Sequence, residues 1–144
     1  MSILAKAGSN AIESACKPLG ELPRTQWLRP PETGLVMVRG RVGGSGAKFN
    51  LGEIPVTRCA VRLDSGTVGM AWVQGRDAQH AALAAQLDAL LQETHYHDRI
   101  HSQVIEPLAA AHTARCDLAA RKAAATKVEF YTLAREARST VGDQ

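Results

Sequence analysis

Ile54-Pro55-Val56-Thr57-Arg58-Cys59-Ala60-Val61-Arg62-Leu63-Asp64-Ser65-Gly66-Thr67-Val68-Gly69-Met70-Ala71-Trp72-Val73-Gln74 is the stretch on which the fold turns. The runs Ile54–Leu63 and Thr67–Gln74 are rich in β-branched residues, and Asp64-Ser65-Gly66 between them is a short turn. The pattern predicts two strands joined by a hairpin. Immediately upstream, Thr33–Val42 predicts a further strand, tied to the pair by the longer glycine-rich connection Gly43–Gly52.

Alternate residues of a strand face opposite sides of a sheet. In the first strand Val36, Val38 and Val42 share one face, while Arg39 and Arg41 share the other with Leu35 and Met37. In the second, Cys59, Val61 and Leu63 face one way and Arg58 and Arg62 the other; in the third, Val68, Met70 and Trp72 are the bulky apolar set. A single register puts the three apolar sets on one face, which helices can cover. It also collects Arg39, Arg41, Arg58 and Arg62 on the opposite face. Four like charges side by side repel, so solvent, an anion or an acidic partner has to answer them.

Helices flank the strands. Ile3, Leu4, Ala7, Ala11, Ile12 and Ala15 form an apolar stripe over residues 3–17, and Pro18 and Gly20 end it. Residues 22–31 read as an extended connector held by Pro23, Pro30 and Pro31, with Trp27-Leu28 anchoring it to the core. Asp77 is the N-cap of a helix over 78–92 whose Leu83, Leu87, Leu90 and Leu91 face inward. His95–His101 is a polar break or a short helical start, and Pro107 opens a helix running to about residue 124. Its Ile105, Leu108, Ala111, Cys116, Ala119 and Ala123 line an inner side small enough to approach the sheet. Val128-Glu129-Phe130-Tyr131-Thr132-Leu133 alternates as a fourth strand. The expectation is an α+β fold, an antiparallel sheet of three to four strands with helices packed on one face. Residues 1–138 form a single domain and 139–144 a disordered tail.

Composition bounds the function. The 144 residues, 15.4 kDa, suit one domain, and 45% hydrophobic with 22% charged residues is ordinary for a globular protein. A net charge of +3 with only 4% aromatics argues against nucleic acid, which calls for basic clusters interleaved with aromatics. No segment holds the roughly 18–20 apolar residues that span a bilayer, and Met1–Lys6 lacks the pattern of a secretory signal. Cys16, Cys59 and Cys116 are odd in number and far apart, which fits a reducing compartment. The expected location is cytoplasmic.

Few motifs carry chemistry. Gly43-Gly44-Ser45-Gly46-Ala47-Lys48 is not a phosphate loop, because Ala47 separates glycine from lysine and a strand, not a helix, follows. Phe49 likewise breaks the dinucleotide-binding spacing. The loop is either a flexible hairpin connection or a contact surface, in which glycine amides cradle oxyanions and Lys48, Asn50 and Glu53 add polar reach. Arg39, Arg41, Arg58 and Arg62 suit carboxylate or polyphosphate recognition through paired charge-assisted bonds; a solvated, salt-bridged face is the plainer alternative. His97 and His101 are four apart, but no third ligand is evident, so no metal is expected. His112 and Cys116 read as a packed pair, and no serine has the setting of a nucleophile.

The runs Arg29-Pro30-Pro31-Glu32-Thr33-Gly34-Leu35-Val36-Met37-Val38-Arg39-Gly40-Arg41, Gly43-Gly44-Ser45-Gly46-Ala47-Lys48-Phe49-Asn50-Leu51-Gly52-Glu53 and Val56-Thr57-Arg58-Cys59 resemble the G subunit of the bacterial carbon–phosphorus lyase core complex. The likeness extends through Gly66-Thr67-Val68-Gly69, Gly75-Arg76-Asp77 and Ala123–Thr132. It departs at the ends, in the shortened start Ser2–Ala7 and in Ala134-Arg135-Glu136-Ala137. The resemblance implies a multi-subunit enzyme of organophosphonate metabolism, a synthase of transferase type, in which a phosphonate oxygen displaces adenine from C1′ of ATP. The product is α-D-ribose 1-methylphosphonate 5-triphosphate. Implied partners are the H, I and J subunits, chiefly I. ATP and alkylphosphonate are substrates of the complex, and this chain alone holds no cofactor. The family offers no catalytic residue to carry over. The chain is expected to be an accessory subunit, inactive alone, that docks through Arg39, Arg41, Lys48, Asn50, Glu53, Arg58 and Arg62. In the alternative these side chains reach into a shared ATP and phosphonate pocket.

Overall fold

A computed structural model describes residues 1–127. The strand expected at Val128–Leu133 and the tail expected at 139–144 lie outside the described residues. The chain begins with two short helices, α1 (Ser2–Lys6) and α2 (Ser9–Cys16), broken at Ala7-Gly8 where a single helix was expected. Extended backbone at Ala7 and Gly8 makes the break. Three strands follow, β1 (Thr25–Arg41), β2 (Lys48–Leu63) and β3 (Val68–Gln74). Then come α3 (Ala78–Leu91), α4 (Thr94–Ile100), a π-helical turn at His101–Ile105 and α5 (Glu106–Ala125). The sheet is antiparallel in the order β1-β2-β3, so β1 and β3 are its edges. The fold is α+β with the helices on one face.

The first two strands are much longer than their propensities suggest. β1 starts eight residues before Thr33 and runs through Pro30-Pro31, positions that an edge strand tolerates because one row of its N–H groups has no strand partner. Irregular register at Trp27/Arg29 and Arg29/Glu32 takes up the prolines. Trp27 and Leu28 are exposed and anchor nothing. The glycine connection shrinks correspondingly to residues 42–47, where Gly43 and Gly44 adopt φ of 58° and 82°.

The core lies between the sheet and α3. Ala81, Ala84, Ala85, Leu87, Ala89 and Leu90 of α3 are all buried, because the helix is sandwiched between the three strands and the shorter helices α1, α2 and α4. Burying leucines such as Leu87 and Leu90 contributes about 1.5–3 kcal/mol each. Asp77 caps α3, its carboxylate accepting from the His80 N–H at 2.9 Å. Buried His80 reaches the Leu4 carbonyl at 2.7 Å and ties α1 to α3. A carbonyl only accepts, so Nε2 carries the proton.

The third strand reverses the expected parity. Gly69, Ala71 and Val73 point into the core, while Val68, Met70 and Trp72 are exposed. Closeness of approach decides the face: a Cβ at Gly69 would sit 2.1 Å from the Ala85 carbonyl oxygen and 2.5 Å from the Ala89 nitrogen. The helix lies too near the strand for any larger residue, so the small set faces inward despite its lower hydrophobicity. A second expectation fails at the other end. α5 buries Leu108 and half-buries His112, next to half-buried Ile105 of the π turn, but Ala111, Cys116, Ala119 and Ala123 are exposed. It packs chiefly on α1, α2 and the π turn.

Candidate functional site

The outer face of the sheet carries no helix among the described residues. Because directly opposed residues of an antiparallel pair share a face, the pairs Glu32↔Arg58, Arg58↔Trp72, Ala60↔Met70 and Arg62↔Val68 define its membership. Glu32 is the hub: Arg29 Nη1 donates to its Oε1 at 2.5 Å and Arg58 Nε at 2.6 Å. These two bonds, Arg29's first, hold the Glu32 carboxyl below the usual glutamate range. The Arg58 guanidinium also lies 5.7 Å from the centre of the Trp72 ring, within cation–π distance. Trp72 and Arg58 stand between two shallow clefts of about 240 and 210 Å³. The first is lined by Glu32, Gly34, Val36, Val56, Arg58 and Trp72 among others. Both are smaller than the ~300–1,000 Å³ of small-molecule sites.

Arg39 and Arg41 are elsewhere. The register places Leu35 and Met37 opposite Pro55 and Glu53, on the face that carries Thr33 and Thr57 and not on that of Glu32 and Arg58. Beyond Val38↔Gly52 the second strand bulges at Leu51, so that Arg39 pairs with Asn50 and Arg41 with Lys48. Arg39, Arg41, Lys48, Asn50 and Glu53 therefore form one group on the helix side of the sheet, past the end of the helices and exposed. Arg58 and Arg62 form another on the outer face. The expected single face of four arginines does not exist. Parity within β1 is as the alternation implies; the offset between β1 and β2 is set by the pairing of Glu32 with Arg58, which places even-numbered residues of β1 beside Arg58.

Arg41 Nη1 donates to the Gly46 carbonyl at 3.1 Å and closes the loop on itself. Among the described residues Arg39, Arg41, Lys48 and Arg62 make no salt bridge. Elsewhere, His97 and His101 stack at 5.9 Å, each beside its own carboxylate, Asp98 at 3.0 Å and Glu106 at 3.4 Å. Among the described residues no three His, Cys, Asp or Glu side chains converge as metal ligands. Cys116 and His112 approach to 3.6 Å with Cys116 exposed, not packed as a buried pair. Cys16 and Cys59 are buried, which pushes both thiols up, and Glu13 adds to the effect at Cys16. No described buried side-chain nitrogen or oxygen lacks a partner. No described helix is long and apolar enough to cross a membrane.

Sequence reasoning missed Arg29, Glu32 and Trp72 as members of the outer-face cluster. The signal that finds Trp72 is the Gly69-x-Ala71-x-Val73 alternation set against the alanines of α3, a pattern of close strand–helix contact.

Fold and site together define an open-faced α+β protein whose outer sheet face presents Arg58, Arg62 and Trp72. The family model described as phosphonate metabolism protein PhnG matches residues 1–136. The chain is also 41% identical, over 138 residues, to the α-D-ribose 1-methylphosphonate 5-triphosphate synthase subunit PhnG of Rhizobium meliloti (strain 1021), an alignment covering 94% of this chain and 86% of that protein. The chain belongs to the PhnG family of phosphonate metabolism proteins.

Proposed function

We propose that this chain is an accessory subunit of α-D-ribose 1-methylphosphonate 5-triphosphate synthase, acting in phosphonate catabolism in the cytoplasm. In that transferase reaction a phosphonate oxygen bonds to C1′ of ATP as the bond from C1′ to adenine breaks, and adenine leaves. The chain takes its place beside the H, I and J subunits of the carbon–phosphorus lyase core complex, chiefly against I. It binds no cofactor of its own and is inactive alone.

The observation that carries the accessory role is the division of the cationic groups between two exposed faces, with shallow clefts beside Arg58 and Trp72 on the outer one. A triphosphate pocket needs converging cations and shelter from water. Docking surfaces instead favour arginine and tryptophan standing in the open, as Arg58 and Trp72 do.

The test is Arg39→Ala with Arg41→Ala in the chain co-expressed with H, I and J, followed by sizing and a free-adenine assay with ATP and methylphosphonate. The expected result is weaker assembly, with adenine release falling in proportion to the complex lost. Full assembly with adenine release abolished would overturn the accessory role and put these arginines in the substrate pocket.

A further inference from the structure

Beyond Val56, which pairs with Gln74 at the end of β3, the first two strands continue without a third strand among the described residues. The pairs from Leu35↔Pro55 to Arg41↔Lys48 form a two-stranded ribbon projecting about 20 Å past the three-stranded sheet, at ~3.3 Å per residue. Resting on the docking role proposed above, we infer that this ribbon is a wedge that inserts into an apolar groove with an acidic rim on another subunit of the complex.

Three observations carry the inference. An isolated two-stranded ribbon is marginal in water, yet this one is built with apolar residues on both faces. Leu35 and Met37 lie on one face and Val36 and Phe49 on the other, with Leu51 in the bulge and Val42 at the tip; Leu35 is 62% exposed, Leu51 66% and Val42 65%. A hairpin lying on a flat surface needs one apolar face. Two apolar faces need walls on both sides, which is a groove. The second observation is charge. Within residues 33–56 the only ionised side chains are Arg39, Arg41, Lys48 and Glu53, three positive against one negative, a net of +2 concentrated toward the tip. An acidic rim answers that charge, while a second copy of this chain brings the same positive tip and is repelled. The third is the open edge. Among the described strands β1 is an edge, and the Pro30-Pro31 pair that guards an edge against strand addition stops before the ribbon begins. The main chain of Leu35–Arg41 is thus available to a strand lining the groove.

The experiment uses the full chain, tagged and co-expressed with H, I and J. Leu35→Asp with Leu51→Asp changes two side chains that point into solvent, so the melting temperature of the isolated chain should hold. Recovery of the companion subunits should fall at least tenfold. Amides of residues 35–41 and 48–55 in the unmutated protein should exchange at least tenfold more slowly in the complex than in the isolated chain. That measurement needs no variant, so a misfolded double mutant does not leave the matter open. Companion recovery at the wild-type level, or unchanged exchange in the ribbon, overturns the wedge. If Trp72→Ala then removes the companions, docking stands and runs through the outer face. A wild-type chain that retains no companion overturns the docking role itself. Concentration-dependent self-association that the double variant abolishes would give the ribbon to a second copy and also overturn the inference.

Discussion

Gly69→Ala probes the contact that orients the whole sheet. The new methyl would stand 2.1 Å from the Ala85 carbonyl oxygen, 2.5 Å from the Ala89 nitrogen and 2.7 Å from the Ala89 methyl. Ordinary carbon contacts begin near 3.5 Å, so α3 must retreat by more than about 1 Å. The two nearest atoms belong to the helix backbone and cannot rotate aside. Overpacking a core costs typically 1–3 kcal/mol. Retreat also thins the contacts along the interface, since a gap of ~0.5–1 Å forfeits a quarter to a half of each dispersion well. Against this, replacing a strand glycine returns roughly 0.5–1 kcal/mol of backbone entropy. The expected net loss is about 3 kcal/mol, or a drop of some 10 °C in melting temperature for a chain of this size. Urea and thermal denaturation of the full chain read it. Gly34→Ala is the control, because a Cβ there meets nothing within 4 Å. A Gly69→Ala chain within about 0.5 kcal/mol of that control, the scatter of surface substitutions, would refute the close approach and with it the explanation for the outward-facing Trp72.

Two other substitutions probe the supports of α3. His80→Phe fills the same space but leaves the buried Leu4 carbonyl without its donor; stability should fall by about 1–3 kcal/mol, with amide exchange accelerating in α1 ahead of α3. Asp77→Ala removes the N-cap and should cost about 1 kcal/mol at neutral pH in chemical denaturation. The dependence on pH has a definite sign. The Asp77 carboxyl is held below its ordinary value by the His80 N–H and then by the Ser9 side chain. Its contribution is therefore complete above the unfolded value near 3.9 and is lost as pH falls through the lower folded value. The gap between wild type and Asp77→Ala should close at acid pH; a gap unchanged between about pH 7 and pH 2.5 contradicts the cap as the cause.

Local chemistry alone made several elements legible. Asp77 before an apolar run, the Asp64-Ser65-Gly66 turn and Pro107 at the start of a helix are satisfied within a few residues of themselves, and the structure has each where the sequence puts it. The Gly66 φ of 94° and its N–H bond to the Leu63 carbonyl need nothing distant. The family was legible for a similar reason: ordered runs such as Pro31–Arg41 and Phe49–Glu53 identify a chain without any fold in hand.

What sequence did not contain was the relation between elements. Alternation says which residues of one strand share a face, but not which face is inner, nor how two strands are offset. For β3 the choice fell to the distance between Gly69 and α3, a tertiary quantity that outweighs the greater hydrophobicity of Met70 and Trp72. For the arginines it fell to the register of β1 on β2, where the pairing of Glu32 with Arg58 puts Arg39 and Arg41 on one side and Arg58 and Arg62 on the other. Hydrophobicity and periodicity are properties of residues and short segments, and the sequence determined those. Close approach and register are properties of pairs of elements, so only the packed structure decided which groups this protein exposes and on which face.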